Sequence, residues 1–158
     1  MQEKLEKVLA SVQSQINKFD NKANILLVIV GIYYAIIGVF LGVTGKIGEI
    51  KNSDIKISLI VVLVITMILI FISTISSILC VMPRKRVDSK NKSQFYYYHI
   101  FKMKESEITG EVDIETLKEQ IKINATICKG KHDYVLTSSI SLLLATFMLI
   151  PLLILVVI

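Results

Sequence analysis

The sequence has few of the residues and none of the motifs that mark disulfide-linked domains, zinc proteins and common enzymes. Its two cysteines, Cys80 and Cys128, form no CxxC pair, and its two histidines, His99 and His132, lie far apart. This spacing predicts neither a disulfide framework nor a metal site. The chain also lacks a nucleophile elbow, a P-loop, an HExxH motif and a paired-carboxylate motif. We therefore expect no catalytic residue, no cofactor and no enzyme activity.

Charge is missing from three long apolar blocks, at residues 25–43, 57–82 and 134–158. As a helix, the first block would extend about 29 Å, which is close to the roughly 30 Å of a bilayer's hydrocarbon core. Acidic residues precede this block, which argues against a cleaved signal peptide. The sequence therefore predicts an all-α membrane protein of one domain, residues 1–158, with three transmembrane helices and a small cytoplasmic helical bundle.

Lysine and arginine are distributed unevenly around the three blocks. Residues 1–24 carry four of them, the loop 44–56 carries three, and residues 83–133 carry eleven. Cytoplasmic segments of membrane proteins carry an excess of these two residues. We therefore expect residues 1–24 and 83–133 to lie in the cytoplasm, with the loop 44–56 and the C-terminus outside.

Apolar residues recur at helical spacing in both of these cytoplasmic segments. In residues 1–24 the apolar stripe consists of Leu5, Val8, Leu9, Val12, Ile16 and Phe19. In residues 112–133 it consists of Ile114, Leu117, Ile121 and Cys128. Two such helices could pack into a bundle, or the first could lie flat on the membrane. We favour packing, because the first helix carries acidic residues that weaken its attraction to anionic lipid.

The segment after the second block combines cations with aromatic rings. Arg84 and Arg86 follow the block directly, and Tyr96, Tyr97 and Tyr98 belong to an aromatic run. Arginine suits phosphate recognition, and the rings could stack on a nucleobase. The same residues could instead anchor the chain at the membrane surface and form a packed aromatic cluster. These five residues are the candidate ligand-binding residues, and the net charge of +5 is compatible with nucleic acid, anionic lipid or an anionic small ligand.

Small and hydroxyl-bearing residues form stripes within the blocks. The stripe in the first block consists of Gly31, Ala35, Gly38 and Gly42. In the second block, Ser73 and Ser77 lie on one helix face. Such stripes let helix backbones approach closely, either within one chain or between copies. We therefore expect these residues to mediate transmembrane packing and the chain to form a homo-oligomer.

Charged residues of both signs stand at the cytoplasmic entries to two of the blocks. Asp20 and Lys22 precede the first block, and Lys131 and Asp133 precede the third. If the two helices are neighbours, a pair such as Asp20 with Lys131 would fix their register. A double-mutant cycle would measure that coupling.

The order of these motifs resembles the transmembrane effectors of Pycsar, a bacterial antiphage system that signals with cyclic pyrimidine nucleotides. Residues 20–23, D-N-K-A, are similar to the family's D-x-K-A entry to the first span. Pro83-Arg84 is similar to the Pro-Arg that ends its second span. A serine with an aromatic run at 93–101, an acidic stretch at 105–107 and the entry at 130–134 then follow in the family's order.

This resemblance implies an effector of the bacterial inner membrane that responds to a cyclic nucleotide made by a partner cyclase. A cyclic pyrimidine monophosphate and the lipid bilayer would be its partners, and a nucleic acid polymer would not. Ligand binding would shift the packing of the spans and impair the membrane. Two alternatives remain: a non-enzymatic scaffold that anchors a soluble partner, and a small oligomeric channel.

Overall fold

The computed structural model describes residues 2–43, 53–82 and 114–157, which form three helices and no strand. Helix α1 spans Gln2–Val43, helix α2 spans Ser53–Val81 and helix α3 spans Ile114–Val157. Each is long and apolar enough to cross a membrane. The predicted all-α class with three membrane-spanning helices is therefore confirmed.

Helix α1 joins the amphipathic N-terminal sequence to the first apolar block without interruption. Its 42 residues would extend about 63 Å, which is twice the hydrocarbon thickness of a bilayer. No proline interrupts this stretch, and its first glycine is Gly31. The polar and the apolar parts of α1 therefore form one continuous element.

Helix α3 likewise joins the amphipathic sequence from Ile114 to the third apolar block, over 44 residues. Gly130 lies within it without ending it. Pro151 also lies within α3, where it removes the hydrogen bond to the carbonyl of Phe147. Transmembrane helices tolerate such a proline because neighbouring groups satisfy the freed carbonyl.

The chain divides into two compact units, and α1 and α3 each contribute to both. The amphipathic unit comprises Met1–Phe19 and Met82–His132. The apolar unit comprises Asp20–Val81 and Asp133–Ile158. The span boundaries predicted from the sequence remain predictions. Most of the predicted external loop and residues 83–113 of the predicted cytoplasmic segment lie outside the described residues.

A cluster of buried apolar side chains from all three helices forms the core of the apolar unit. Its members are Val30, Ile37, Ile70, Leu142, Ala145 and Leu149. Tyr33 and Met67 pack against this cluster while remaining half-exposed. Most other large apolar side chains of the unit point outward, and in the most apolar window of α2 17% of residues are buried.

Candidate functional site

Three serines form a buried hydrogen-bonded bridge between α2 and α3 in the apolar unit. Ser73, Ser77 and Ser138 are all completely buried. The Ser138 Oγ lies 2.7 Å from the Oγ of Ser73 and 2.7 Å from the Oγ of Ser77. It also lies 3.1 Å from the backbone carbonyl of Ser73 and donates to it. We call this group the serine bridge.

Each of the three hydroxyl protons of the serine bridge has an acceptor within it. A serine hydroxyl has one donor and two acceptor lone pairs. Because Ser138 donates its proton to the Ser73 carbonyl, its two lone pairs accept the protons of Ser73 and Ser77. An apolar surrounding makes an unpaired hydroxyl costly. The serine bridge therefore specifies one packing of α2 against α3.

Two adjacent tyrosines connect α1 to the other helices of the apolar unit. The Tyr33 hydroxyl lies 2.6 Å from Thr146 Oγ1 on α3, and the Tyr34 hydroxyl lies 3.4 Å from Thr74 Oγ1 on α2. Each threonine already donates to a carbonyl of its own helix at 2.8 Å. The tyrosines are therefore the donors. Every pair of helices in this unit is joined by a side-chain hydrogen bond.

Other hydroxyls of the apolar unit bond to their own helix. Thr66, Thr137 and Ser139 each donate to the carbonyl four residues earlier, at 2.8–2.9 Å. This back-bonding satisfies a hydroxyl without a second helix. Ser138 is buried and bonded to α2, whereas its neighbour Ser139 is exposed. This difference locates the face of α3 that packs against α2.

The predicted small-residue stripe of α1 faces open space within the chain. A Cβ added at Gly31, Gly38 or Gly42 would meet no atom within 4 Å, and Ala35 is exposed. Large apolar neighbours are exposed with it, among them Val39 at 70%. Among the described residues, neither α2 nor α3 uses this stripe for close packing.

In the amphipathic unit, apolar side chains of α1 and α3 are buried. Leu9 and Leu117 are buried, and Leu117 is completely so. Val12, Ile16 and Phe19 are half-buried, whereas Val8 remains 46% exposed. The stripe predicted for residues 1–24 thus packs at most of its positions, as expected for an amphipathic helix packed against a partner.

A groove with a volume of about 280 Å³ lies between α1 and α3 within the amphipathic unit. The α1 wall includes Val12, Gln15 and Phe19. The α3 wall includes Cys128, Lys129 and His132. We call this feature the polar groove after its amide, thiol and lysine, although most of its lining surface is apolar.

Two contacts cross the polar groove and show how its walls are aligned. The Cys128 thiol donates to Gln15 Oε1 at 3.8 Å, which is a weak hydrogen bond. One helical turn further along both helices, the rings of Phe19 and His132 lie 5.5 Å apart at 82°, edge to face. Because the second contact lies one turn closer to the C-terminus on both helices, the two walls run parallel.

The structure places some of the predicted site residues and leaves others outside its described ranges. Arg84, Arg86, Tyr96, Tyr97 and Tyr98 lie outside the described residues, so their role in ligand binding stays a prediction. Among the described residues, no cluster of three or more His, Cys, Asp or Glu side chains could hold a metal ion.

The charged residues proposed to set helix register differ in exposure. Lys131 is buried, with 7% of its surface exposed. Asp20 is half-buried, and Lys22 and Asp133 are exposed. The coupling of Asp20 with Lys131 stays a prediction.

Sequence reasoning missed several residues that the structure brings together. Gln15 and Lys129 were not candidates, because a lone amide or lysine on an amphipathic helix is ordinary. Tyr33 and Tyr34 did carry a signal in the sequence. A tyrosine in the middle of an apolar block has a hydroxyl that needs a partner, and both of these have one.

Comparison with known proteins places this architecture in a family. The family model of the Pycsar effector protein domain matches residues 4–158, which is nearly the whole chain. No curated protein and no solved structure matches the chain.

Proposed function

The chain belongs to the family of the Pycsar effector protein domain, and we propose its function from that premise. This is a family of membrane effectors and not a known enzyme family, and membership supports a role in antiphage defence. We infer that the protein senses a cyclic pyrimidine monophosphate made by a partner cyclase. Binding then changes the packing of the membrane-spanning helices and impairs the integrity of the inner membrane.

The proposed location is the bacterial inner membrane, with the N-terminus in the cytoplasm and the C-terminus outside. Fifteen of the eighteen lysines and arginines lie in residues 1–24 and 83–133, and three lie in the loop 44–56. The excess of cations marks the cytoplasmic side. This orientation would expose the sensing segments to a nucleotide made in the cytoplasm.

The observation that carries the membrane part of the proposal is the apolar exterior of the apolar unit. Its interior combines an aliphatic cluster with the serine bridge, whereas the exposed side chains of its described residues are mostly aliphatic and aromatic. A soluble monomer rarely exposes an apolar surface of this extent, but lipid imposes no cost on it. Helices held together by small polar residues can exchange one packing for another, because lipid contacts replace the apolar contacts that are lost.

A population shift explains how a ligand could act on such a unit. The serine bridge holds α2 and α3 in the resting arrangement. A nucleotide that binds a second arrangement more tightly would favour it by its difference in affinity. Moving the population from 1% to 99% active requires about 10⁴-fold tighter binding to the active state. Charge-assisted contacts to a phosphate could supply part of this difference.

The open stripe of α1 supports assembly into a homo-oligomer. The backbone at Gly31, Gly38 and Gly42 is unobstructed, so a second α1 could approach it closely. In the active arrangement, several copies packed through this face would disrupt the bilayer or line a passage across it.

The first experiment tests membrane damage in cells. The protein is expressed with an active cyclase, and a dye sensitive to membrane potential is followed together with the uptake of a membrane-impermeant dye. We expect loss of potential when both proteins are present. The control is the same cyclase with an inactivated catalytic site, which should leave the potential intact.

The alternatives predict different results in the same experiment. A scaffold that anchors a soluble partner would leave the membrane potential intact even with the active cyclase. A constitutive channel would collapse the potential without any cyclase. Either result would overturn the proposed function.

The second experiment tests sensing directly. Cyclic UMP and cyclic CMP are titrated by calorimetry into the purified protein in lipid nanodiscs, with cyclic AMP as the comparison. We expect saturable heat with a pyrimidine nucleotide. The absence of heat with each of the three would remove direct sensing from the proposal.

A further inference from the structure

We propose that the polar groove of the amphipathic unit is the binding site for the nucleotide, a proposal that rests on the proposed function. The site would lie between Gln15 and Phe19 on α1 and Cys128, Lys129 and His132 on α3. Its ligand class is a small planar heterocycle that carries one phosphate. Size, charge, ring geometry and hydrogen-bonding capacity each support this class.

The volume of the polar groove favours a small ligand. Ligand pockets commonly enclose about 300–1,000 Å³, and this groove, at about 280 Å³, lies just below that range. Its α1 wall includes the apolar residue Val12, which is half-buried. A mononucleotide with a single-ring base fits this size better than a dinucleotide or a larger cofactor.

The charge of the polar groove favours an anion. Lys129 is exposed and carries a positive charge, and His132 adds an imidazole one turn away on the same helix. The described residues that line the groove include no carboxylate. A phosphate could contact both the Lys129 ammonium and the His132 ring.

The rings of the polar groove offer a surface for a base. Phe19 and His132 are nearly perpendicular, with centroids 5.5 Å apart. Two rings in this arrangement form a corner, in which a flat heterocycle can stack on one ring and meet the edge of the other. Aromatic side chains bind nucleobases through such stacking.

The amide of Gln15 offers hydrogen bonds to the edge of the base. A glutamine side chain both donates and accepts, as does the pairing edge of a pyrimidine. In the structure its Oε1 accepts a weak bond from Cys128 at 3.8 Å. A ligand could replace this bond at little cost, because thiols are weak donors.

The position of the polar groove also indicates how a ligand would act. Its two walls belong to different helices, α1 and α3, which run parallel there. A nucleotide that touches both walls favours one spacing of these helices over others. Binding in the groove would therefore select a helix arrangement, as the population shift requires.

A pair of charge-adding variants tests the polar groove. Gln15→Glu places a carboxylate on its wall, whereas Gln13→Glu places the same charge on an exposed part of α1 that does not line it. In nanodiscs we expect Gln15→Glu to weaken binding of cyclic UMP and cyclic CMP by at least about tenfold, through repulsion of like charges. Gln13→Glu should stay within about twofold of the unmodified protein.

A matched pair of lysine variants provides a second comparison. Lys129→Gln removes the cation of the polar groove, and Lys122→Gln removes an exposed lysine of α3 that does not line it. We expect about tenfold weaker nucleotide binding from the first and less than about twofold from the second. Equal effects of the two would overturn the contribution of Lys129.

Alkylation of the native thiol tests the site without any substitution. Cys128 lines the polar groove and is 8% exposed, whereas Cys80 is completely buried in the apolar unit and should not react. We expect saturating cyclic nucleotide to slow the reaction of N-ethylmaleimide with Cys128 by about fivefold or more, because the bound molecule covers the sulfur. The rate at Cys128 without nucleotide, followed by mass spectrometry on the same preparation, is the reference.

The outcomes separate this proposal from the one on which it rests. If the unmodified protein binds nucleotide, then either unchanged alkylation of Cys128 or full affinity in Gln15→Glu overturns the polar groove and leaves sensing intact. If no nucleotide binds the unmodified protein, both sensing and the groove are overturned.

Discussion

Leu117 and Ser138 are both completely buried on helix α3, but they belong to units that differ in how many large apolar side chains they expose. In the amphipathic unit, Leu117 is covered while its neighbour Lys118 is exposed. In the apolar unit, Ser138 is covered while Phe147 on the same helix is 62% exposed. Helix α3 therefore keeps its large apolar side chains largely covered in the amphipathic unit and exposes many of them in the apolar unit.

The difference shows which solvent each unit is suited to. In water, burial of apolar surface drives helices together, and this force accounts for the packing of Leu9 and Leu117. Lipid tails are as apolar as leucine, so that force is absent between helices in a bilayer. There, close packing of small residues and hydrogen bonds such as those of the serine bridge hold the helices together. Substitutions in the two units should therefore destabilise the protein for different reasons.

The largest effect is expected when an apolar side chain of the amphipathic unit is shortened. Leu117→Ala should lower the free energy of unfolding by about 2–5 kcal/mol, because it removes buried surface and leaves a cavity. A urea titration in mild detergent, followed by circular dichroism at 222 nm, measures this change. Val8→Ala is the control and should cost about 0.5 kcal/mol, since Val8 is 46% exposed. Equal losses would show that burial on α3 does not stabilise this unit.

A smaller effect is expected when the serine bridge is overfilled. Ser138→Leu should cost about 1–3 kcal/mol, because a larger side chain separates α2 from α3. Titration with sodium dodecyl sulfate in mixed micelles measures the loss of helix packing. Ser139→Leu adds the same side chain at the neighbouring, exposed position and should change stability little. If Ser138→Leu stabilised the protein, hydrophobic burial rather than small polar packing would hold the apolar unit together.

The smallest effect is expected from the two tyrosine hydroxyls. Tyr33→Phe should cost about 0.6 kcal/mol and at most about 1.7 kcal/mol, which are the mean and the maximum measured for hydrogen bonds between membrane helices. Tyr34→Phe should cost less, because its oxygen lies 3.4 Å from Thr74 whereas that of Tyr33 lies 2.6 Å from Thr146. The same micelle titration ranks the two variants. The reverse order would show that α1 is held to α2 more firmly than to α3.

The helices could be predicted from the sequence because their determinants are local. Uninterrupted apolar blocks and helical stripes need no knowledge of distant contacts, and both appear in α1 and α3. Which residues of each stripe would be buried was less predictable. Val8 shares the stripe of Leu9 but remains exposed, because helical spacing defines a face and not the width of the partner that covers it.

The candidate site illustrates the same limit. The sequence directed attention to Arg84 and the tyrosines at 96–98, where charge and rings are adjacent in the chain. Those residues lie outside the described ranges, and their role stays a prediction. The polar groove combines Gln15 with Lys129, which are far apart in sequence and unremarkable by themselves. Only the pairing of two helices could reveal this combination.

The sequence by itself determined the family, the helical class and the presence of three helices able to span a membrane. The family rests on the order of short motifs along the chain. The helical class and the three helices depend on composition and periodicity, which local physical chemistry sets. The tertiary structure decided which polar groups meet, because helix register is fixed by contacts between distant residues. It paired Ser138 with Ser73 and Ser77, and it left the glycines of α1 facing open space.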